Sequence, residues 1–324
     1  MTRQHIVFLT GAGVSAESGL STFRGKDGMW TNEEWVHLAS TDALYNETQK
    51  CLDFYNWRRK KLAEVEPNDA HRMIAELEKE HEVTVITQNV DNLHERAGST
   101  RVIHLHGELS KVCSMDNRTT CVKEYPLTTP IRVGDKAEDG SQLRPYIVMF
   151  GEYVDSMNVA IDIVSKADIF VVIGTSLKVY PAAGFINYAH HEVPKFVIDP
   201  GEMEQCTHLG FTHFKTTATE GKKMLLEAFG RAEEAGGNGL ALHHSMGVRA
   251  DTQETGRDVG VDSLYAEPYL SAGQEASSPY PLSKGRGGSL RRKRKDVSET
   301  GRRRHANANG SRREFRRQTL DFRR

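Results

Sequence analysis

The chain has 324 residues, 43 basic against 44 acidic for a net charge of −1, with 38% apolar residues and four cysteines. These figures exclude a disulfide-stapled secreted scaffold, which packs far more cysteine into far less chain, and no internal repeat suggests a solenoid. No apolar run is long enough to span a bilayer and no secretory leader pattern opens the chain, so the protein is expected to be cytoplasmic with reduced thiols.

The first element is a compact apolar strand from His5 to Thr10, followed at once by Gly11-Ala12-Gly13-Val14-Ser15-Ala16. A G-x-G-x-x-A loop after a strand permits a tight turn and lets backbone N–H groups approach a pyrophosphate at a helix N-terminus. A hydride-transfer dinucleotide enzyme should then show a helix, a second strand and an acidic ribose ligand about 20 residues on. The chain instead enters a glycine-bearing loop through Thr22-Phe23-Arg24-Gly25 to Asp27-Gly28, and Glu33 and Glu34 follow no strand. An ordinary dehydrogenase is therefore disfavoured.

Further on, Phe54 to Arg59 has a helical pattern, and a spacing of three puts Tyr55 and Arg58 on one face. A guanidinium binds a carboxylate bidentately and a phenol adds a further hydrogen bond, so this pair suits an acidic ligand. The plainer alternative is that Arg58, Arg59, Lys60 and Lys61 form a solvated charged face. Asn68-Asp69-Ala70-His71 after Pro67 reads as a helix start, with the helix running from Arg72 to Glu80 and His71 a surface or packing residue. Two β-branched runs follow, Val83 to Ile86 and Val102-Ile103, each ending in polar chemistry: Thr87-Gln88-Asn89-Val90-Asp91-Asn92, and His104-Leu105-His106-Gly107-Glu108-Leu109. In an open parallel sheet ligands bind beyond the carboxyl ends of strands, which makes these two ends the expected active site. His106, with an ordinary pKa nearest neutrality and Gly107 beside it, is the expected general base, the bland alternative being a buried structural histidine.

From Arg144 a strand is expected over Tyr146 to Phe150, ending at Gly151-Glu152, then a helix from Ala160 to Ala167. The wholly apolar Ile169 to Ile173 reads as a strand buried on both faces, closed by Gly174-Thr175-Ser176. Pro181 and Ala182 start another helix, Lys195 to Ile198 supplies a strand with Asp199 at its end, and Thr219 to Phe229 a last amphipathic helix.

Gly11-Ala-Gly-Val-Ser15, Thr22-Phe23-Arg24, Thr87-Gln88-Asn89-Val-Asp91-Asn-Leu-His94, His106-Gly-Glu-Leu109, Phe150-Gly151-Glu152 and Gly174-Thr175-Ser176-Leu177-x-Val-Tyr-Pro181-Ala resemble, in order, the motifs of sirtuins, NAD-dependent protein-lysine deacylases. The resemblance runs from about Ile6 to about Phe229. It implies that NAD is consumed as a reactant, releasing nicotinamide and O-acyl-ADP-ribose, with acylated-lysine proteins or peptides as partners. It implies that Gly11, Ala12, Gly13, Ser15, Phe23 and Arg24 belong to the loop that holds NAD, that Gln88 meets the nicotinamide ribose, and that Asn89 and Asp91 position carboxamide and water. Gly174, Thr175 and Ser176 would meet the diphosphate and ribose, and Asp199 the adenosine ribose. His106 would deprotonate a ribose hydroxyl. Val148, Phe150, Gly151 and Glu152 would form the strip that pairs with an extended substrate backbone. Tyr55 and Arg58 resemble the Tyr-x-x-Arg pair of the subgroup that removes succinyl and malonyl, beside which deacetylation remains feasible.

Between Lys111 and Arg144 periodicity fades. Sirtuins usually carry a structural zinc here on two cysteine pairs, but only Cys113 and Cys121 lie in this region and their spacing fits no such pair, so no zinc is expected. Residues 231–324 carry 19 basic and 12 acidic side chains, leaving 24 and 32 to the first 230. Rich in Gly, Ser and Arg and poor in periodic apolar residues, this tail is expected to be disordered. Its clusters, such as Arg291 to Lys295, suit nucleic acid or an acidic surface, though stacking aromatics are nearly absent beside them. The expected architecture is an α/β catalytic domain over residues 1–230: an open parallel Rossmann-like sheet with a smaller inserted lobe from about 25–65 and 110–143. Its expected function is lysine deacylation. The alternatives are a mono-ADP-ribosyltransferase on the same constellation, or a nucleic-acid or anion-binding protein acting through the tail.

Overall fold

The computed structural model describes residues 3–23, 28–178 and 182–239. Arg24 and Pro181 lie outside these, as do the tail clusters for which disorder and anion binding are expected. In chain order the elements begin β1 (His5–Thr10), α1 (Gly13–Ala16), α2 (Glu33–Leu38), α3 (Thr41–Asn46), α4 (Thr48–Ala63), α5 (Asp69–Leu77), β2 (Glu82–Thr87), α6 (Leu93–Ala97) and β3 (Val102–His104). There follow β4 (Gly107–Ser114), β5 (Lys123–Glu124), β6 (Leu143–Ile147), α7 (Met157–Ser165), β7 (Ile169–Ile173), β8 (Lys195–Ile198), α8 (Glu204–His208), β9 (Thr212–Phe214) and α9 (Ala218–Gly239).

Six strands form one parallel sheet in the order β3-β2-β1-β7-β8-β9. Parallel pairing leaves both sheet faces to be covered, which is why β1, β2, β7 and β8 are apolar almost without interruption. Alternate side chains go to opposite sides. Ile6, Phe8, Val85 and Val171 pack under α5 and α9 with Ile74 and Leu225, while Val7, Leu9, Phe170 and Val172 meet Val164 of α7 and Phe185. Strand order departs from β1 in both directions, so a crevice opens where β1 and β7 end side by side.

A second sheet, antiparallel and ordered β5-β4-β6, packs with α4 and α3 around Leu44, Phe54, Tyr55 and Met149. Gly107 opens it at φ +79°, and a Cβ there would stand 2.1 Å from the Tyr146 carbonyl, so only glycine lets β4 leave the active-site loop in this direction. The strand expected over Tyr146 to Phe150 is instead Leu143–Ile147. Past Ile147 the chain turns, because Val148 donates to the His106 carbonyl and Phe150 to that of Ala39. His71, expected at the surface or in packing, is fully buried, closing a capping box with Asn68 at the start of α5. Among the described residues no helix is long and apolar enough to cross a membrane.

Candidate active site

A cavity of 730 Å³ opens at the crevice, and almost every expected site residue lines it: Gly11, Ala12, Gly13 and Phe23 from the first loop, Tyr55 and Arg58 from α4, Gln88, Asn89 and His106 from the β2 and β3 ends. Val148, Phe150, Gly151 and Glu152 border it, as do Gly174, Thr175, Ser176 and Asp199. Ser15 and Asp91 line an adjoining cavity of 290 Å³ that shares Ala12, Phe23, Arg58 and Asn89 with the first. Arg24 belongs to the undescribed residues.

The two glycine loops touch backbone to backbone. Gly13 N–H donates to the Gly174 carbonyl at 2.8 Å, and a Cβ on Gly13 would sit 2.6 Å from the Gly174 Cα. Any larger residue would push the loops apart and fill the floor that a dinucleotide needs. The amides of Gly11, Gly13, Val14 and Ser15 bond within the chain, so these two glycines serve the close packing of the loops.

His106 projects from the turn between β3 and β4 with Nδ1 at 2.8 Å from the Gln88 carbonyl. That bond puts the proton on Nδ1 and leaves Nε2 as an acceptor. Burial lowers its pKa, against the pull of the Gln88 carbonyl, so the ring is neutral at neutral pH. Gln88 itself reaches across to Thr175 Oγ1 at 3.0 Å, tying the β2 end to the β7 end.

Asn89 donates to the Gly11 carbonyl and to Ser15 Oγ, which leaves its Oδ1 buried without a partner at the cavity wall. An orphan acceptor of this kind is costly unless a ligand donates to it, which fits an amide or ribose hydroxyl of NAD. Ser15 Oγ donates to Asp91 at 3.1 Å and lies 3.3 Å from His71 Nε2. The Asn68 amide donates to His71 Nδ1, so Nε2 carries the proton toward Ser15. Burial raises the Asp91 carboxyl pKa, opposed by hydrogen bonds from Leu93 and Ser15. Sequence reasoning missed His71 as part of this network. Its only signal was an N3 position in a capping pattern, which says nothing of a partner 56 residues away.

On α4 the Arg58 guanidinium is enclosed by the rings of Phe23, Phe54 and Tyr55 at 5.2 to 5.8 Å. Among the described residues it makes no ion pair, and enclosure lowers its pKa despite the nearby Tyr55 and Asp91. The Tyr55 hydroxyl, buried, donates to Met149 Sδ at 3.3 Å, a weak acceptor. Arg59, one residue on, belongs to no charged face. It is fully buried and donates to the carbonyls of Leu109, Tyr125, Pro126 and Thr129.

The strip from Val148 to Glu152 is less open than an unpaired strand. The amides of Val148, Met149, Phe150 and Glu152 are all engaged within the chain. The Glu152 carboxylate holds Arg144 at 2.6 Å and Arg118 at 3.4 Å, so its side chain shapes the strip instead of facing a ligand.

The residues around 113–141 do not fit a structural zinc. All four cysteines are free thiols, and no cluster of three ligating side chains among the described residues includes one. Cys113 is buried with Sγ 3.7 Å from the Pro145 carbonyl. Ser114 and Ser141 bond at 2.8 Å, and Asp139, held at a pKa of about 2 by hydrogen bonds from Ser114, Ser141 and Cys121, accepts the Ser141 amide.

Such a sheet, with paired glycine loops at its switch point and a neutral histidine beside an orphan amide oxygen, has the layout of a dinucleotide-binding enzyme. The Sir2 family pattern matches residues 11–181. An NAD-dependent protein deacylase of Bacteroides thetaiotaomicron is 48% identical over 232 residues, covering 69% of this chain and 99% of its own length. A Sir2 homologue solved with NAD is similar at 37% identity and TM-score 0.61, covering 71% of this chain and 91% of that one. A Sir2 enzyme solved with a deacetylated p53 peptide and 3'-O-acetyl ADP-ribose is similar at 29% identity and TM-score 0.59, covering 70% and 94%. The chain belongs to the Sir2 family.

Proposed function

We propose that this chain, an NAD-dependent protein-lysine deacylase by family, removes succinyl and malonyl groups as well as acetyl, with His106 as general base. The observation that carries the acyl preference is the enclosed Arg58 guanidinium, without an ion pair among the described residues and one helical turn from Tyr55. A half-buried cation set among three rings gains from a counter-charge, and a terminal carboxylate on the acyl chain supplies one bidentately. The Tyr55 hydroxyl gives up only a thioether to join it.

Bound NAD supplies an electrophilic anomeric carbon whose leaving group is nicotinamide. Asn89 Oδ1, unpartnered, would accept from the carboxamide or a ribose hydroxyl, and Asp91, steadied by Ser15, would orient the same end. Phe23 lines the cavity beside Arg58. His106 Nε2 takes the ribose hydroxyl proton, and the Gln88 carbonyl at Nδ1 steadies the imidazolium that forms. Val148, Phe150 and Gly151 border the cavity where an acyl-lysine side chain enters.

The test is nicotinamide release from matched acetyl-lysine and succinyl-lysine peptides. Arg58→Met is expected to lower succinyl kcat/KM by about 10- to 100-fold, the worth of a charged hydrogen bond, while acetyl turnover stays within a few fold. His106→Ala is expected to abolish both. Succinyl turnover untouched by Arg58→Met would sink the acidic pocket, and retained turnover in His106→Ala would sink the base.

A further inference from the structure

The end of β2 and the loop after it present four successive buried carbonyls, Thr87 to Val90, and a single segment satisfies them all. The Thr87 carbonyl accepts from the Leu105 amide at 2.9 Å and the Val90 carbonyl from the Leu109 amide at 2.8 Å. Between them, the Gln88 carbonyl faces His106 Nδ1 at 2.8 Å and the Asn89 carbonyl faces His104 Nδ1 at 3.1 Å. The two outer bonds are backbone and indifferent to pH. The two inner ones belong to imidazoles whose remaining nitrogens point to different places. His106 lines the cavity. His104 Nε2 lies 2.8 Å from Glu95 Oε1 on α6.

We propose that His104, gripped by Glu95, is a positioning residue for deacylation: it clamps the Asn89 carbonyl from the outer side of the loop, and its ionisation sets the alkaline limit of turnover. The inference rests on the reading of His106 as base.

Only a protonated ring can donate at both nitrogens, to Asn89 and to Glu95 together. The His104 side chain is 6% exposed, so neither bond is readily replaced by water. Its charged surroundings are acidic on balance. Glu95 and His94 face it from α6, Asp91 from the loop, and Glu108 from β4, while Lys111 is bonded to Glu108 at 2.6 Å and lies 3.7 Å from Glu124 of β5. Burial by itself lowers the His104 pKa, but the hydrogen bond and charge of Glu95, joined by Glu108, outweigh it and raise the pKa above the ordinary histidine value. The imidazolium form is therefore kept to higher pH than in an ordinary histidine and is lost as pH rises through the raised pKa. A neutral ring has one proton for two acceptors. Either the Asn89 carbonyl loses its donor or the Nε2 lone pair meets the Glu95 carboxylate. Asn89 carries its orphan Oδ1 into the cavity, so slack at its backbone loosens a group that touches NAD.

The experiment is the pH profile of kcat, with KM for peptide and NAD, for nicotinamide release from an acetyl-lysine peptide by the full chain, Glu95→Gln and His104→Gln. Glu95→Gln is expected to move the alkaline limb down by roughly one pH unit, as loss of an adjacent counter-charge does, without moving the acid limb that His106 sets. In His104→Gln the amide still donates to Asn89 but cannot titrate. Its kcat is expected to fall several-fold, its alkaline limb to disappear and both KM values to stay within about twofold. Profiles that superimpose on the wild type after scaling overturn the proposal, as does a loss confined to KM. If His104→Gln does not fold, the Glu95→Gln limb decides alone. An acid limb absent from the wild type would count against His106 as base and leave the comparison of alkaline limbs intact.

Discussion

His71 and His94 meet edge to face at 4.8 Å behind the catalytic loop, one bonded to Ser15, the other to Thr10. Burial holds His71 neutral, its pKa lowered to about 4, and lowers that of His94 well below the ordinary value. A histidine whose folded pKa is depressed takes up a proton on unfolding, so its contribution to stability is whole above about pH 6.5 and shrinks as pH falls toward its folded pKa. For His71 the loss between pH 7 and pH 5 is on the order of 2 kcal/mol. In urea unfolding at the two pH values, His71→Gln is expected to remove a drop of that order. Equal stability at both pH values would mean that the ring titrates in place. Such networks explain what the sequence left unread at this scale. His106 was legible because a glycine and a strand end flank it, whereas the partners of Ser15 and Asn89 depend on contacts made across 56 and more residues.

The apolar runs of β1, β2, β7 and β8 gave themselves away because a strand buried on both faces has no polar alternation to confuse it. The short β5 and β9 carried no such signal, being edge strands of two and three residues. Arg59 was misleading for a related reason: in a run of four cations nothing local distinguishes the one that is fully buried. It sits 5.2 Å from the Tyr125 ring centroid and donates to Leu109 and Pro126 at 2.7 and 2.6 Å, joining α4 to the chain between β5 and β6. Arg59→Ala leaves those carbonyls buried and unpaired, and a loss of about 3 kcal/mol or more is expected in urea unfolding. A loss below about 1 kcal/mol would show that water or Tyr125 takes over. The same lobe, where Ser114 bonds to Ser141 and Asp139 accepts the Ser141 amide, is expected to melt at the same temperature before and after exhaustive chelation. A fall in Tm on chelation would reveal a metal held by other residues.

Charge divides the molecule in two. The first 230 residues carry a net −8 and the remainder a net +7, so the near-neutral total describes neither part. The residues that line the two cavities lie between Gly11 and Ala218. The Bacteroides relative is matched over 99% of its length by 69% of this chain, so a protein of that family is complete without a counterpart to the tail. The basic clusters are therefore expected to act through long-range attraction to anions, screened by salt, and to take no part in the chemistry. A chain ending at Gly239 is expected to keep kcat/KM for an acetyl-lysine peptide within about twofold at 150 mM salt, since a screened field reaches only about 8 Å. At 20 mM salt the two forms are expected to separate on acidic peptides, the full chain showing the lower KM, because cations concentrate anionic substrates when the screening is weak. If truncation instead cuts kcat at both salt concentrations, the tail enters the catalytic cycle itself and the division by charge is not a division by function.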